Sequence, residues 1–237
     1  MKIFTTRVAL SEYLTEQQAA SKKIALVPTM GALHAGHLSL IERARKESDL
    51  VVCSIFVNPT QFNDPADLAK YPRPVESDIE KLEEAACEVL FMPEVSDMYS
   101  APEDWFIDLH GLDNILEGKI RPGHYQGVTQ IVKKLFDTVK PDIAFFGQKD
   151  YQQVMVIAEL VKQYHIPVSI IMCPIVREKD GLALSSRNVY LSAAEHQYAL
   201  ALSKALNLAS DLFPEKSIEA IKKEVNLYLE KAEGIEP

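Results

Sequence analysis

Five short apolar runs organise the first three quarters of the chain: Ile24–Val27, Leu50–Val57, Val89–Met92, Ile143–Phe146 and Val168–Met172. Each is rich in β-branched or aromatic residues and shows no polar alternation. That is the pattern of strands buried on both faces of a parallel sheet. Between the runs, apolar positions recur at helical spacing, as in Val75, Ile79, Leu82 and Ala86, and again in Val128, Ile131, Val132, Leu135 and Val139. In Asp150–Tyr164 acidic residues come early and Lys162 late, which suits a helix dipole. This alternation predicts a doubly wound, Rossmann-like α/β domain over residues 1–176. The pattern then changes. Ser192-Ala-Ala-Glu195 reads as a capping box opening a long helix through Ala209, and Leu212-Phe-Pro214 interrupts it. Ser217 can cap a second helix with Ile218, Ile221, Val225, Leu229 and Ala232 on one face. Residues 177–237 are therefore expected to form a small C-terminal domain or lid.

In an open α/β sheet, ligands bind beyond the carboxyl ends of the strands. The polar clusters of this chain fall there. After the first run comes Pro28-Thr-Met-Gly-Ala-Leu-His-Ala-Gly-His37, after the second Asn58-Pro-Thr-Gln61. After the fourth comes Gly147-Gln-Lys-Asp-Tyr-Gln-Gln153, and after the fifth Arg177 and then Leu184-Ser-Ser-Arg-Asn188. His34 and His37 lie where a helix begins and share one face of its first turn. A helix N-terminus offers unpaired N–H groups and a positive dipole end, which suits phosphate. Lys149, between a buried strand and a helix, is placed to meet phosphate as a point charge. Arg187 with Ser185 and Ser186 can grip phosphate oxygens. Asn58 and Gln61 can bind a hydroxyl or carboxylate. Each feature also has a plainer reading. The histidines can be a cap or surface residues, Asn58 and Gln61 a turn, Lys149 and Asp150 a surface pair with Asp150 as helix cap, and the Ser/Asn run a loop. A zinc site at the histidines lacks a third ligand and a glutamate base.

Composition narrows the partners. A net charge of −9 argues against a broad nucleic-acid or anionic-membrane surface, though not against a local basic pocket. No apolar run approaches the ~20 residues that span a bilayer. The Met1-Lys-Ile-Phe-Thr-Thr-Arg start lacks a signal-peptide pattern, so a cytoplasmic protein is expected. Cys53, Cys87 and Cys173 are odd in number, widely spaced and set in apolar sequence, which predicts buried free thiols.

The clusters together resemble the pantothenate synthetase (pantoate–β-alanine ligase) family of the nucleotidyltransferase superfamily. His34-Ala-Gly-His37 is similar to that superfamily's HIGH motif, and Leu184-Ser-Ser-Arg187 stands in place of its KMSKS-type loop. Val27-Pro-Thr-Met-Gly-Ala-Leu-His34, Phe56-Val-Asn-Pro-Thr-Gln-Phe62, Arg121-Pro-Gly-His124 and Gly147-Gln-Lys-Asp-Tyr-Gln-Gln153 narrow the resemblance to this family. The resemblance implies an ATP-dependent ligase, acting with Mg²⁺, that joins pantoate to β-alanine through pantoyl adenylate, releasing pyrophosphate and AMP. It implies catalytic roles for His37 (as proton donor), His34 and Lys149. It implies an ATP site of Met30, Gly31, His34, Gly36, His37, Gly147, Gln148, Lys149, Asp150, Val176, Leu184, Ser185, Ser186 and Arg187, with Asp150 at the ribose. Asn58, Gln61 and Gln153 would hold pantoate and β-alanine. No metal ligands are implied. A homodimer is implied, with neither nucleic acid nor membrane as partner. Family members typically continue past a Gly-Ile-Glu-Pro-like string, whereas this chain stops at Gly234-Ile-Glu-Pro237, so a shortened C-terminal domain is expected. The alternatives are another nucleotidyltransferase, of phosphopantetheine or glycerol-phosphate type, and an inactive nucleotide-binding scaffold.

Overall fold

The computed structural model describes residues 1–101 and 103–235. Among them, six strands form one parallel sheet: β1 (Lys2–Phe4), β2 (Ile24–Thr29), β3 (Leu50–Ile55), β4 (Val89–Phe91), β5 (Ile143–Gly147) and β6 (Ser169–Cys173). Their order is β1-β4-β3-β2-β5-β6, and every pairing is parallel. The helices are α1 (Arg7–Ala19), α2 (Ala35–Glu47), α3 (Pro65–Lys70), α4 (Val75–Glu84), α5 (Val95–Met98), α6 (Leu116–Ile120), α7 (His124–Val139), α8 (Tyr151–Gln163), α9 (Ala193–Leu212) and α10 (Ile218–Glu230).

Both faces of the inner strands β2, β3, β4 and β5 are covered, which is why they read as unbroken apolar runs, whereas the edge strand β6, expected to be buried on both faces, is exposed at Ser169 and Met172. Leu26 and Val52 join Leu10 and Leu14 of α1, Val128, Ile131 and Leu135 of α7 and Ile157 and Leu160 of α8 in one core. The alternate residues Ala25, Val27, Val51 and Cys53 pack on the other face with Leu40, Ile41 and Ala44 of α2 and Leu82 of α4. Burial of these side chains is the main stabilising term, at about 1.5–3 kcal/mol per large aliphatic residue. The three cysteines are free and buried.

β2 is the centre of the sheet, with β3 on one side and β5 on the other. The chain thus reverses its direction of travel across the sheet at β2/β5. At such a switch point the loops leaving neighbouring strands diverge and open a crevice for ligand.

The chain divides into two compact units, Met1–Pro174 and Ile175–Pro237. The second holds a short antiparallel bridge between Arg177 and Ala183, then α9 and α10. The Ser192–Glu195 capping box is present with both reciprocal bonds, and Ser217 caps α10 by accepting from the Ala220 N–H.

Several elements differ from the sequence expectation. β1 and α1 carry too few consecutive apolar residues to register as periodic segments, yet both form. β3 stops at Ile55, and α9 runs on to Leu212. α10 ends at Glu230, which leaves Ala232 outside it, and Ile218 is 57% exposed. Only Ile221 of the expected apolar face is buried. Glu236 and Pro237, the end of the Gly-Ile-Glu-Pro string, lie outside the described residues.

Candidate active site

α2 begins at the carboxyl end of the central strand, and His34 is its N-cap, in extended conformation. The His34 Nδ1 accepts from the Gly36 N–H at 3.1 Å, and the His37 Nδ1 accepts from the His34 N–H at 3.3 Å. The two imidazoles thus form a capping box in which both side chains are rings, stacked at a tilt with centroids 4.0 Å apart. Because each Nδ1 is an acceptor, each neutral ring carries its proton on Nε2. The helix start therefore presents two Nε2–H donors. Burial lowers the pKa of both histidines, helped by the cations Lys149 and Lys81; Asp150 pulls His34 the other way. For His37, which also feels His34, the value falls to about 3. The dipole of α2 acts in the same direction.

Lys149 and Asp150 lie in a single 3₁₀ turn, Gln148–Asp150, between β5 and α8. The expected Asp150 cap does not form: its side chain makes no capping bond and instead accepts from Lys149 Nζ at 3.2 Å. This surface pair is exposed and contributes little to stability. Lys149 nevertheless acts on both histidines, which places its charge beside the α2 start. Gly147, the last residue of β5, has open space where a side chain would be. Gln153 is half-buried on the first turn of α8.

The turn after β3, Pro59–Gln61, carries the amides. Asn58 is 1% exposed, and its side chain does not cap the turn. Its Nδ2 donates to the Gln61 Oε1 (3.2 Å) and the Gly127 carbonyl (3.1 Å), while its Oδ1 accepts from the hydroxyls of Tyr99 (2.7 Å) and Thr60 (3.2 Å). A buried amide so fully engaged is an organiser of the turn. It holds Gln61, whose Nε2 donates to Met30 Sδ at 3.1 Å. The loops after β2 and β3 thus touch through Met30 and Gln61.

The backbone behind Gln61 is clamped by the Arg-Pro-Gly-His segment. His124 Nδ1 donates to the Gln61 carbonyl (2.8 Å), and Arg121 Nη2 donates to the same oxygen (3.2 Å). Burial keeps His124 neutral, so its Nε2 can accept from Arg121. One turn along α7, Gly127 lets the helix touch the loop: a Cβ there would lie 2.3 Å from the Thr60 carbonyl oxygen.

In the second unit, the Leu184 N–H donates to the Val176 carbonyl, so those two residues are neighbours across the Arg177–Ala183 bridge. The Ser185 hydroxyl accepts from the Arg187 N–H, and Ser186 and Arg187 begin a 3₁₀ turn. Among the described residues, Glu178, Asp180 and His196 form the group whose ligand atoms lie within 4.8 Å of one another. His196 already pairs with Asp180 at 2.7 Å.

Sequence reasoning missed Asp78, Lys81, Tyr99 and Gly127, and used Arg121 and His124 only as motif letters. Asp78 was hidden by its helix, where Val75, Ile79 and Leu82 set the apolar pattern and an aspartate reads as surface. Gly127 had a signal, since a glycine inside a helical pattern marks close backbone approach.

Fold and site together define a doubly wound α/β protein whose central helix start presents two imidazole N–H donors at the switch point. Comparison with known proteins is more specific. The sequence matches the Pantoate-beta-alanine ligase family over residues 2–236, and the chain belongs to that family. It is 50% identical over 221 residues to a pantothenate synthetase of Porphyromonas gingivalis, covering 93% of this chain and 79% of that protein. It is 48% identical over 235 residues to a pantothenate synthetase of Bacteroides thetaiotaomicron, covering 99% and 83%. The structure resembles that of a pantothenate synthetase from Thermus thermophilus, with a TM-score of 0.91 and 40% identity over 98% of this chain and 83% of that one. It also resembles a pantoate–β-alanine ligase from Francisella tularensis, crystallised with β,γ-ATP and β-alanine, with a TM-score of 0.84 and 40% identity over 97% and 86%.

Proposed function

We propose that this chain activates pantoate with ATP, forming pantoyl adenylate and pyrophosphate, and then transfers the pantoyl group to β-alanine, giving pantothenate and AMP. One observation carries the reading beyond family membership. The histidine pair at the start of α2 and the amide turn of Gln61 are joined through the Met30–Gln61 contact of 3.1 Å. A group suited to phosphate and a group suited to a hydroxy acid therefore sit side by side, as attack of a carboxylate on an α-phosphate requires.

In the first step a pantoate carboxylate oxygen attacks the α-phosphorus, and the bond to the bridging oxygen of pyrophosphate breaks. Negative charge grows on the phosphate oxygens, so catalysis is positioning plus preorganised donors. The Nε2–H groups of His34 and His37 and the ammonium of Lys149 supply these. His37 is neutral at pH 7, which suits it to donate a hydrogen bond to the transferring phosphate rather than to surrender a proton as free imidazolium. Backbone around Met30, Gly31 and Gly36, together with Gly147 and Gln148, lines the nucleotide side, with Asp150 at the ribose. Gln61 and Gln153 hold pantoate through neutral amides, which bind the carboxylate without quenching its nucleophilicity, and Asn58 fixes Gln61. In the second step the β-alanine amine attacks the acyl carbon and AMP leaves. In the second unit, the hydroxyls of Ser185 and Ser186 and the guanidinium of Arg187 suit phosphate oxygens by their chemistry, and Val176 and Leu184 are paired beside them.

Mg²⁺ enters as part of the substrate MgATP. The groups near the histidines are imidazoles, ammoniums, amides and the Asp150 carboxylate, so the ion would take most of its oxygen ligands from the ATP phosphates and water. We also infer a cytoplasmic homodimer. The buried free thiols suit a reducing compartment. Ile115, Leu116 and Ile120 are 51%, 71% and 81% exposed, apolar side chains that a second copy could cover.

The test is pyrophosphate release from ATP with pantoate alone, and pantothenate formation on adding β-alanine. Turnover with phosphorylated alcohols in place of pantoate would instead indicate another nucleotidyltransferase, and ATP binding without turnover an inactive scaffold. Gln61→Ala should raise the pantoate requirement more than the ATP requirement; the reverse would overturn the division of the site.

A further inference from the structure

We propose that Asp78 and Lys81 of α4 are positioning residues that lock the loop before α2 and thereby aim the His34–His37 pair. The proposal rests on the reading that this pair meets the ATP phosphates.

The loop has an uncommon backbone. Gly31 and Ala32 are both left-handed, with φ of 81° and 50°. Glycine adopts this region freely; alanine does so only when its surroundings hold it there. Asp78 supplies the hold. Its Oδ2 accepts from the Ala32 N–H and its Oδ1 from the Leu33 N–H, each at 2.7 Å, and the residue is 1% exposed. Charge-assisted bonds of this length, shielded from water, are among the stronger hydrogen bonds in proteins. The fit is close: a Cβ on Gly31 would lie 3.0 Å from the Asp78 Oδ2. One turn further along α4, Lys81 Nζ donates to the Leu33 carbonyl at 2.8 Å. Two side chains three residues apart on one helix face therefore grip both polar sides of the residue next to His34.

This arrangement has two consequences. With its amides engaged by a carboxylate, the loop does not compete with the α2 start for an anion. Lys81 also contributes charge: the pair faces Lys81 on α4, Lys149 and Asp150 before α8, and each histidine faces the other. Lys81 and Lys149 both favour the neutral rings, while Asp150 opposes them at His34.

The test compares the wild type with Lys81→Met, Lys81→Arg and Asp78→Asn. It reads amide hydrogen exchange over residues 31–37 and the pH dependence of kcat/KM for ATP. Asp78→Asn keeps the shape but sets an NH₂ against a backbone N–H. Exchange in the loop should speed up by on the order of tenfold in Asp78→Asn and Lys81→Met. The acid limb of kcat/KM should move to higher pH in Lys81→Met, and Lys81→Arg should restore both readouts. A purely structural role would not move that limb. If Asp78→Asn does not fold, the Lys81 pair decides alone. Lys81→Met with wild-type exchange and an unmoved acid limb would overturn the proposal. Exchange is read without turnover. A wild type that releases no pyrophosphate therefore refutes the proposed function, while the loop measurement still stands or falls by itself.

Discussion

Gly127→Ala tests how tightly α7 sets the Gln61 turn, the proposed pantoate side of the site. The added Cβ would lie 2.3 Å from the Thr60 carbonyl oxygen, 2.5 Å from its carbon and 2.7 Å from the Gln61 nitrogen. Ordinary contact begins near 3.4 Å, so the closest pair is about 1.1 Å short. Twelve of the sixteen residues of α7 are buried, so the helix is anchored and the turn must give way. Moving Pro59–Gln61 outward by about 1 Å stretches the Asn58–Gly127, His124–Gln61 and Arg121–Gln61 bonds together. Overpacking of this kind costs about 1–3 kcal/mol of stability. A 1 Å misplacement of a positioning group costs up to about 10²-fold in rate. Steady-state pyrophosphate release should show kcat/KM for pantoate falling by one to two orders of magnitude, on the scale of that positioning cost. The ATP requirement should change far less, with circular dichroism confirming the fold. A folded Gly127→Ala protein with wild-type pantoate kinetics would show that α7 does not set the Gln61 turn, and an equal loss for both substrates would show that the turn does not serve pantoate alone.

His37→Ala removes one Nε2–H donor and one half of the capping box. Adenylation should fall by about 10²–10³-fold, and stability by only ~1 kcal/mol; unchanged pyrophosphate release would defeat the assignment. Acid should weaken the fold through the same residue. His37 titrates near 3 in the folded protein and near 6.5 when unfolded, so the unfolded state binds more protons between those values. Stability should therefore be level above pH 6.5 and decline as pH falls toward 3. Urea midpoints measured across that range should show a smaller decline in His37→Ala. Burial raises the Cys53 and Cys87 thiols, the latter to about 11, and Cys173 is raised as well. A thiol reagent such as DTNB should leave all three unreacted in the native protein and label them in urea.

Sheet and site were legible to different degrees, for physical reasons. The central strands were readable because burial on both faces leaves an uninterrupted apolar run, as in Leu50–Ile55. β1 is three residues long with only Phe4 partly covered, so its sequence carries almost no such signal. The histidine pair, Gln61 and Lys149 were readable because polar residues directly after buried strands are conspicuous. Their orienting partners were not. Asp78 lies 45 residues from the Leu33 amide that it holds, and its helix shows the acidic outer face of many surface helices. The Asn58 and Gly127 contact spans 69 residues. Such long-range pairings depend on which loops the sheet order brings together, and that order is not written in local periodicity. Asp150 shows the converse. Its position suits a cap, but a preceding 3₁₀ turn directs the carboxylate to Lys149.

In adenylation the carboxylate of pantoate becomes bonded to the α-phosphorus of ATP before β-alanine displaces it. Turnover with pantoate carrying heavy oxygen in its carboxylate measures this directly by mass spectrometry of the nucleotide product. The expected product is AMP with one labelled oxygen, since the acyl carbon keeps one carboxylate oxygen and the other leaves with the phosphate. Unlabelled AMP, or ADP together with labelled inorganic phosphate, would contradict it.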